Sequence, residues 1–307
     1  MSRLLLPLAI AFTLLLPACA SAVSPMGQSD LHRAQGAFAA GNYTLAIEYL
    51  GRAINSGELS NAELAEAYFN RGVAYNAQEE YQRALADYDQ ALHLNPQLVE
   101  AYISRGGVYT ALGEYQRAIA DLDQAVRLDP NNADSYYNRG NVYVALGEYP
   151  QALADYDRSI RLSPNVAETY YNRGNAYFIQ GQWQRAITDY DQAIRLNPNY
   201  ALAYNNRGIA YRALEQNQRA LADYDQAIRL DPNLVGAYNN RGNVYSALQQ
   251  WRKAIADYDQ AIRLNPSAAE SYYNRGLAYE ALGQSTRAKE DFKKAWDLTR
   301  RYQGPAR

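Results

Sequence analysis

Apolar residues recur along this chain at helical spacing, and the whole pattern returns every 34 residues. One copy runs from residue 133 to residue 166. Its first half places Tyr136 and Tyr143 on one helical face, and its second half places Ala152 and Tyr156 on another. Each copy is therefore predicted to contain two amphipathic helices.

Turn signals separate these two helices and end the second one. Gly147 stands between them, and Pro164 follows the second, where proline stops a helix because it lacks an N–H and restricts the preceding residue. One such helical hairpin cannot bury its own apolar face, whereas stacked copies can. The pattern predicts an all-α solenoid of helix-turn-helix hairpins.

The repeat has a recognisable signature when its positions are counted from Ala133 as position 1. It has Tyr at position 4, Gly at 8, Tyr at 11, Ala at 20, Tyr at 24, Ala at 27 and Pro at 32, and this pattern resembles the tetratricopeptide repeat (TPR). The invariant glycines are Gly72, Gly106, Gly140, Gly174, Gly208, Gly242 and Gly276. The resemblance implies a right-handed superhelical solenoid that serves as a non-catalytic scaffold, with an extended peptide or partner protein held in a concave groove lined by the first helices.

The predicted solenoid spans residues 30–302 and contains about eight repeats, with residues 303–307 as a tail. A degenerate copy at residues 27–60 precedes seven regular ones, which start at residues 65, 99, 133, 167, 201, 235 and 269. In the last copy Lys289, Glu290 and Lys293 replace residues that a following repeat would cover. This change predicts that the stack ends there, with Trp296 as part of the cap.

The N-terminus reads as an export signal over residues 1–22, followed by a polar tether over residues 23–29. A positive start at Arg3 precedes an apolar run that is too short to span a membrane. Residues 16–19, Leu-Pro-Ala-Cys, resemble a bacterial lipobox, which implies lipidation of Cys19 and cleavage before it. The expected location is the periplasmic face of a membrane. Secretion as a soluble periplasmic or extracellular protein, with Cys19 removed, is the alternative.

The charge and the residue content of the chain exclude several classes of function. The net charge of −2 and the pI of about 5.8 do not suit a nucleic-acid-binding protein, which normally has a basic face. No Cys/His cluster has metal-ligand spacing and no nucleophile-base set is evident, so we expect no metal, no cofactor and no catalysis. The alternative is an envelope enzyme or substrate-handling protein that uses the solenoid as the wall of its site. The sequence does not predict the oligomeric state or the partner.

Two charged positions depart from the usual repeat. All seven regular copies have arginine at position 7 and aspartate at position 23, for example Arg139 and Asp155. The joint departure predicts a partly buried bidentate ion pair, within the hairpin or to its neighbour. The alternative is two solvated charges that contribute about 0–1 kcal/mol as a pair.

The TPR resemblance places positions 2, 5, 6, 9, 12 and 13 on the groove. Asparagine amides and aromatic rings occupy several of these positions, and an amide can both donate to and accept from a peptide backbone. The predicted groove residues are Tyr137, Asn138, Asn141, Tyr171, Asn172, Asn175, Phe178, Asn206, Asn240, Asn243 and Tyr273. Acids at position 2, such as Glu66 and Glu168, favour a neutral to basic peptide. The alternative is that the asparagines at position 6 bond mainly to neighbouring helices.

Overall fold

A computed structural model describes residues 26–302 of the chain, which form sixteen α-helices and no strand over that range. The chain divides after Pro164 into two compact units, each built from consecutive helical hairpins. The first unit contains α1 (Met26–Ala39), α2 (Tyr43–Asn55), α3 (Asn61–Ala77), α4 (Tyr81–Leu94), α5 (Val99–Ala111), α6 (Tyr115–Leu128), α7 (Ala133–Leu146) and α8 (Tyr149–Leu162). The second contains α9 (Ala167–Ile179), α10 (Trp183–Leu196), α11 (Ala201–Ala213), α12 (Asn217–Leu230), α13 (Val235–Ala247), α14 (Trp251–Leu264), α15 (Ala269–Ala281) and α16 (Ser285–Tyr302). The predicted all-α repeat solenoid is confirmed.

The third regular hairpin, α7 and α8, shows how the sequence sets the helix ends. The side chain of Asn132 caps α7 by accepting a hydrogen bond from the backbone N–H of Ser135 at 2.9 Å. Gly147 ends α7 in the left-handed region at φ 76°. Ser163 follows α8 and Pro164 prevents its continuation. The predicted break and stop are therefore confirmed.

The same left-handed backbone conformation recurs at position 15 of every regular repeat. Gly113, Gly181 and Gly283 fill this position in three further repeats, with φ between 73° and 76°. Elsewhere Glu79, Glu215 and Gln249 adopt it at φ 57–60°. An L-residue pays a steric cost of roughly 1–2 kcal/mol there, so the turn is imposed by the packing of the two helices as well as by glycine.

In six of the seven regular hairpins the core is made by a ring that lies on a glycine, and in the second regular repeat Leu122 takes the place of the ring against Gly106. Tyr156 at position 24 is 1% exposed, and its Cε1 lies 2.8 Å from where a Cβ on Gly140 would stand. The alanines at position 20 are 0–2% exposed in all seven regular repeats. Glycine and alanine are thus required because a large ring fills the space between two closely packed backbones.

The degenerate first copy also forms a helical hairpin, although its start differs from the prediction. Helix α1 begins at Met26, so residues 26–29 are helical and do not belong to the predicted tether. The backbone N–H of Gly27 donates to Glu58 Oε2 at 2.7 Å, which fixes this first turn. The rest of the tether, the signal segment, Cys19 and the tail lie outside the described residues.

The residues between the first copy and the first regular repeat form the opening turn of α3. Ser60 caps this helix: its hydroxyl accepts from the N–H of Glu63, and the Glu63 carboxylate accepts from the N–H of Ser60 at 2.9 Å. This reciprocal capping box explains why α3 has 17 residues where α5 has 13.

Candidate interaction surface

The arginine at position 7 forms a bidentate ion pair with the aspartate at position 23 of its own hairpin in every regular repeat. Nε and Nη2 of Arg139 donate to the two carboxylate oxygens of Asp155 at 2.8 and 2.7 Å. The equivalent pairs are Arg71–Asp87, Arg105–Asp121, Arg173–Asp189, Arg207–Asp223, Arg241–Asp257 and Arg275–Asp291. The aspartates are only 4–6% exposed. The predicted buried pair is confirmed, and solvated charges are excluded.

The remaining nitrogen of the arginine reaches back to the preceding repeat. Nη1 of Arg207 donates to Asp191 Oδ1 at 2.6 Å, and Asp191 stands at position 25 of the repeat before it. The same contact joins Arg105 to Asp89, Arg139 to Asp123, Arg241 to Asp225 and Arg275 to Asp259. One guanidinium therefore closes its own hairpin and also holds two consecutive repeats together.

Tyrosine rings complete the environment of this arginine. The Arg139 guanidinium carbon lies 5.6 Å from the centre of the Tyr136 ring at position 4. In the first regular repeat, the hydrogen bonds with Asp87 raise the pKa of Arg71 above its usual value. This arrangement keeps the arginine charged and paired, so its main role is to stabilise the repeat stack.

The asparagines at position 9 hold the buried tyrosines at position 24. The hydroxyl of Tyr156 donates to Asn141 Oδ1 at 2.7 Å, and that of Tyr190 donates to Asn175 Oδ1 at 2.8 Å. Asn243 accepts from Tyr258 in the same way at 2.8 Å. The oxygen atoms of these three predicted groove residues are therefore committed to the protein itself.

The asparagines at position 6 connect consecutive first helices within the second unit. Nδ2 of Asn206 lies 2.9 Å from both Tyr171 Oη and Asn175 Oδ1. Asn240 donates to Asn205 at 3.0 Å. Asn274 donates to Asn243 at 3.0 Å. For these residues the alternative prediction, bonding to neighbouring helices, is confirmed.

In the first unit, Asn138 bonds within its own helix, where it donates to the backbone oxygen of Asp134 at 2.9 Å. Asn172, in the second unit, is half-buried.

Position 5 lies at the junction between one first helix and the next. Tyr171 is 1% exposed and its ring packs 4.9 Å from that of Tyr200, so its placement on an open groove is wrong. Tyr137 is half-buried, with its ring centre 6.3 Å from that of Tyr156. Tyr273 in the last repeat is 51% exposed. Positions 5 and 6 were predicted to face a ligand, but they mainly join repeats.

A smaller set of groups stays at the surface of the second unit. Nδ2 of Asn243 and Oδ1 of Asn240 have no hydrogen-bond partner within residues 165–302, and both residues are half-buried. Phe178 is half-buried, and Ile179 beside it is 54% exposed. Trp183 is 36% exposed and was not among the groove residues predicted from the sequence. Its signal was an indole at position 17, where most repeats have tyrosine or a polar residue.

Position 2 is acidic in five of the seven regular first helices; it is Leu202 in α11 and Gly236 in α13. Glu66 is half-buried, and burial raises its pKa, with a further contribution from the nearby Glu63 carboxylate. Glu168 is half-buried and Glu270 is exposed. Between Met26 and Tyr302, no group of three or more His, Cys, Asp or Glu side chains could hold a metal ion. None of the helices described over that range is both long enough and apolar enough to cross a membrane.

This stack of paired helices, with polar side chains bridging successive first helices, defines the class of helical repeat scaffolds. Family models described as "TPR repeat" match residues 106–147, 140–178, 174–214, 209–249 and 242–283. Models described as "Tetratricopeptide repeat" match residues 65–98 and 269–302. The chain belongs to the tetratricopeptide repeat family, whose members are in general non-catalytic scaffolds for protein interactions.

Solved structures share this fold. A tetratricopeptide repeat protein from Parabacteroides merdae is 21% identical, covers 86% of this chain and 100% of its own, and superposes with a TM-score of 0.62. YrrB, described as a TPR protein with an unusual peptide-binding site, is 26% identical over 60% of this chain and 95% of its own, with a TM-score of 0.51. MamA from Desulfovibrio magneticus is 26% identical over 56% of this chain and 97% of its own, with a TM-score of 0.52. A comparison with curated protein sequences gives no match.

Proposed function

We propose that this protein is a non-catalytic scaffold of the bacterial cell envelope that binds an extended, neutral to basic segment of a partner protein on the first helices of its repeats. The observation that carries the proposal is the row of asparagines in the second unit. Each of these asparagines uses one polar atom in a hydrogen bond to a neighbouring helix. The Nδ2 donor of Asn243 and the Oδ1 acceptor of Asn240 remain available to a ligand. An extended peptide backbone offers both complements of these groups.

Other surface groups of the second unit support the character of the ligand. Ile179 and Trp183 offer apolar surface for side chains of a peptide. The exposed Glu270 and the half-buried Glu168 favour basic residues over acidic ones. The similarity to YrrB, a protein with a peptide-binding site by its description, is consistent with this use of the fold.

The binding test removes one donor and keeps the packing. Peptides that bind the full chain are selected from a random display library, and the neutral ones are titrated against the Asn243→Asp variant. This change keeps the oxygen that accepts from Tyr258 and removes the amide donor. We expect the affinity to fall about fivefold or more, the usual effect of a lost hydrogen bond in a binding site.

Asn199→Asp is the matched control, since it adds the same charge at an exposed position outside the first helices. We expect it to bind as the parent chain does. Equal affinities for Asn243→Asp and the parent would overturn the proposed contact. A selection that enriches only acidic peptides would overturn the proposed charge preference.

The proposed location rests on the resemblance of residues 16–19 to a lipobox. A diacylglyceryl group with an acyl chain would hold the protein at a membrane surface. Replacing Cys19 with Ser should move the protein from the membrane fraction to the soluble envelope fraction, while Ser21→Ala should not. A mature N-terminus at Ser21 or Val23 would contradict lipidation.

A further inference from the structure

The last repeat exposes the same positions that internal repeats use to hold the next repeat. Within the second unit, positions 5 and 9 accept hydrogen bonds from the following first helix: Asn205 accepts from Asn240, and Asn243 accepts from Asn274. Position 25 accepts from the arginine of the following repeat, as Asp259 does from Arg275 at 2.5 Å. These three positions therefore belong to the contact face of a repeat, together with position 28, where the aliphatic residue is buried or half-buried in the six preceding regular repeats.

In the last repeat the apolar part of this face is open. Tyr273 at position 5 is 51% exposed, and Leu277 at position 9 is 41% exposed. Trp296 at position 28, which is aliphatic in the other regular repeats, is 59% exposed. Among the described residues, no helix beyond α14 and α16 packs on α15 apart from a slight contact with α13. We call Tyr273, Leu277, Lys293 and Trp296 the end face.

The charge of the end face is reversed relative to an internal junction. Position 25 is aspartate in the six preceding regular repeats and is Lys293 in the last one, where its side chain is exposed. Lys289 at position 21 adds a second exposed cation in place of an aliphatic residue, and the exposed Glu290 at position 22 adds one carboxylate, so two ammonium groups and one carboxylate replace the single aspartate. A helix that docks here as a further first helix would thus meet an ammonium group where internal helices meet a carboxylate.

This reversal selects against another copy of the same chain. Every regular first helix carries arginine at position 7, and α1 carries Arg33 at the corresponding place. Each of these would face Lys293 with like charge, which costs binding energy at an interface. A glutamate at that position would instead pair with Lys293. Lysine and glutamate side chains together span as many bonds as the arginine and aspartate pair they would replace.

We propose that the end face binds an amphipathic helix of a partner protein that carries a carboxylate at the position where a TPR first helix of this chain carries arginine. The apolar side chains of the partner helix would cover Tyr273, Leu277 and Trp296. The carboxylate would pair with Lys293. This site is separate from the proposed peptide surface at Asn240 and Asn243, so either proposal can fail alone.

Two hydrocarbon-stapled helical peptides test the proposal, because an isolated helix of this length is marginal in water. One has the sequence of residues 201–213, and the other is identical except that Arg207 is replaced by Glu. Both are titrated against the full chain by fluorescence anisotropy. We expect the glutamate peptide to bind at least about tenfold more tightly than the arginine peptide.

Charge exchange on the protein should reverse this order. The Lys293→Asp variant should prefer the arginine peptide, and Leu277→Asp should weaken both peptides. Lys294→Asp is the matched control: its side chain is also exposed but stands outside the contact positions, so the glutamate peptide should stay preferred. Circular dichroism confirms that the variants fold.

Three results would overturn the proposal. The first is no binding of either peptide, and the second is equal affinity for both. The third is a preference that Lys293→Asp leaves unchanged. Concentration-dependent association of the unmodified chain that Lys293→Asp abolishes would assign the face to a second copy instead.

Discussion

The first hairpin and the regular repeats fill the space between their two helices with different residues. In six of the seven regular repeats a glycine at position 8 makes room for a ring at position 24, as Gly140 does for Tyr156; the second regular repeat has Leu122 against Gly106. In α1 and α2 the corresponding residues are Ala34 and Leu50, each 2% exposed. In the first hairpin the methyl group that Ala34 adds is accommodated because Leu50 is smaller than a ring.

The ion pair is reversed in the same comparison. Regular repeats carry the arginine on the first helix and the aspartate on the second, whereas Asp30 on α1 accepts from Arg52 on α2 at 2.9 and 3.2 Å. Asp30 is 3% exposed. Its partner Arg52 has a side chain that is 46% exposed, compared with 17–19% for the regular arginines. One charge pair across the two helices therefore suffices for a hairpin, but only the regular orientation also reaches the preceding repeat.

High pH should destabilise the regular repeats more than the first hairpin, and this is the largest difference that we expect between them. Burial raises the pKa of Tyr258 to about 12, and burial also raises those of Tyr156 and Tyr190. Because the unfolded chain has tyrosine pKa values of about 10, the stabilisation is complete below pH ~10 and is lost as the pH rises toward ~12, at roughly 3 kcal/mol for Tyr258 alone. The first hairpin has Leu50 in this place, and among the regular repeats only the second, with Leu122, and the last, with Phe292, also lack a tyrosine there.

We expect the regular repeats to unfold cooperatively above pH ~10, seen as coincident changes in tyrosinate absorbance and circular dichroism. Tyr258→Phe removes one titrating group and should move the midpoint upward. Tyrosinate formation near pH 10 with full retention of helix would contradict this expectation.

Asp223→Ala should have the next largest effect. It leaves Arg207 buried without its bidentate partner, which costs about 3 kcal/mol in the free energy of unfolding. Asp225→Ala on the same helix removes an aspartate whose side chain is 51% exposed and should cost about 1 kcal/mol or less. Asp30→Ala should resemble the second case, because Arg52 stays hydrated. Urea unfolding measures all three, and equal costs would show that burial does not set the value of the pair.

Replacing a helical glycine with alanine should destabilise the protein in a regular repeat but stabilise it in the first hairpin. Gly140→Ala places a Cβ 2.8 Å from the buried Tyr156 ring and should destabilise the protein by about 1–3 kcal/mol. Gly36→Ala in α1 meets no atom within 4 Å and should stabilise it by roughly 0.5–1 kcal/mol through helix propensity. Thermal unfolding of the two variants measures the difference. Shifts of the same sign would refute the ring contact as the reason for glycine at position 8.

The smallest expected effect comes from completing the first junction. Arg71 meets no aspartate at position 25 of the preceding hairpin, because that residue is Gly51, whose Cβ would lie 3.7 Å from Arg71 Nη1. Gly51→Asp should add about 0.5 kcal/mol beyond Gly51→Asn, which has a similar helix propensity. The difference should vanish in high salt. A difference that persists in salt would assign the gain to something other than the ion pair.

Much of the candidate surface could not be predicted from the sequence of a single repeat. The sequence predicted that Arg139 and Asp155 would pair, because both depart from the usual pattern together. It did not predict the second bond of this arginine to Asp123, since that contact joins residues of successive repeats. The loss of aspartate at Lys293 now has a reason: within residues 26–302, no further repeat follows whose arginine at position 7 would pair with it. The groove residues were harder, because amides such as Asn206 can serve a ligand or a neighbouring helix equally well.

Periodicity and turn chemistry by themselves determined the fold of this chain. A 34-residue repeat of apolar positions, with Gly147 at a turn and Pro164 after a helix, leaves stacked hairpins as the way to bury the apolar faces. Only the tertiary structure decided which polar groups face a partner. Tyr171 and Tyr273 occupy the same repeat position, yet the first is buried and the second is exposed. The physical reason is that burial depends on what packs against a residue from the next repeat, and no local pattern contains that information.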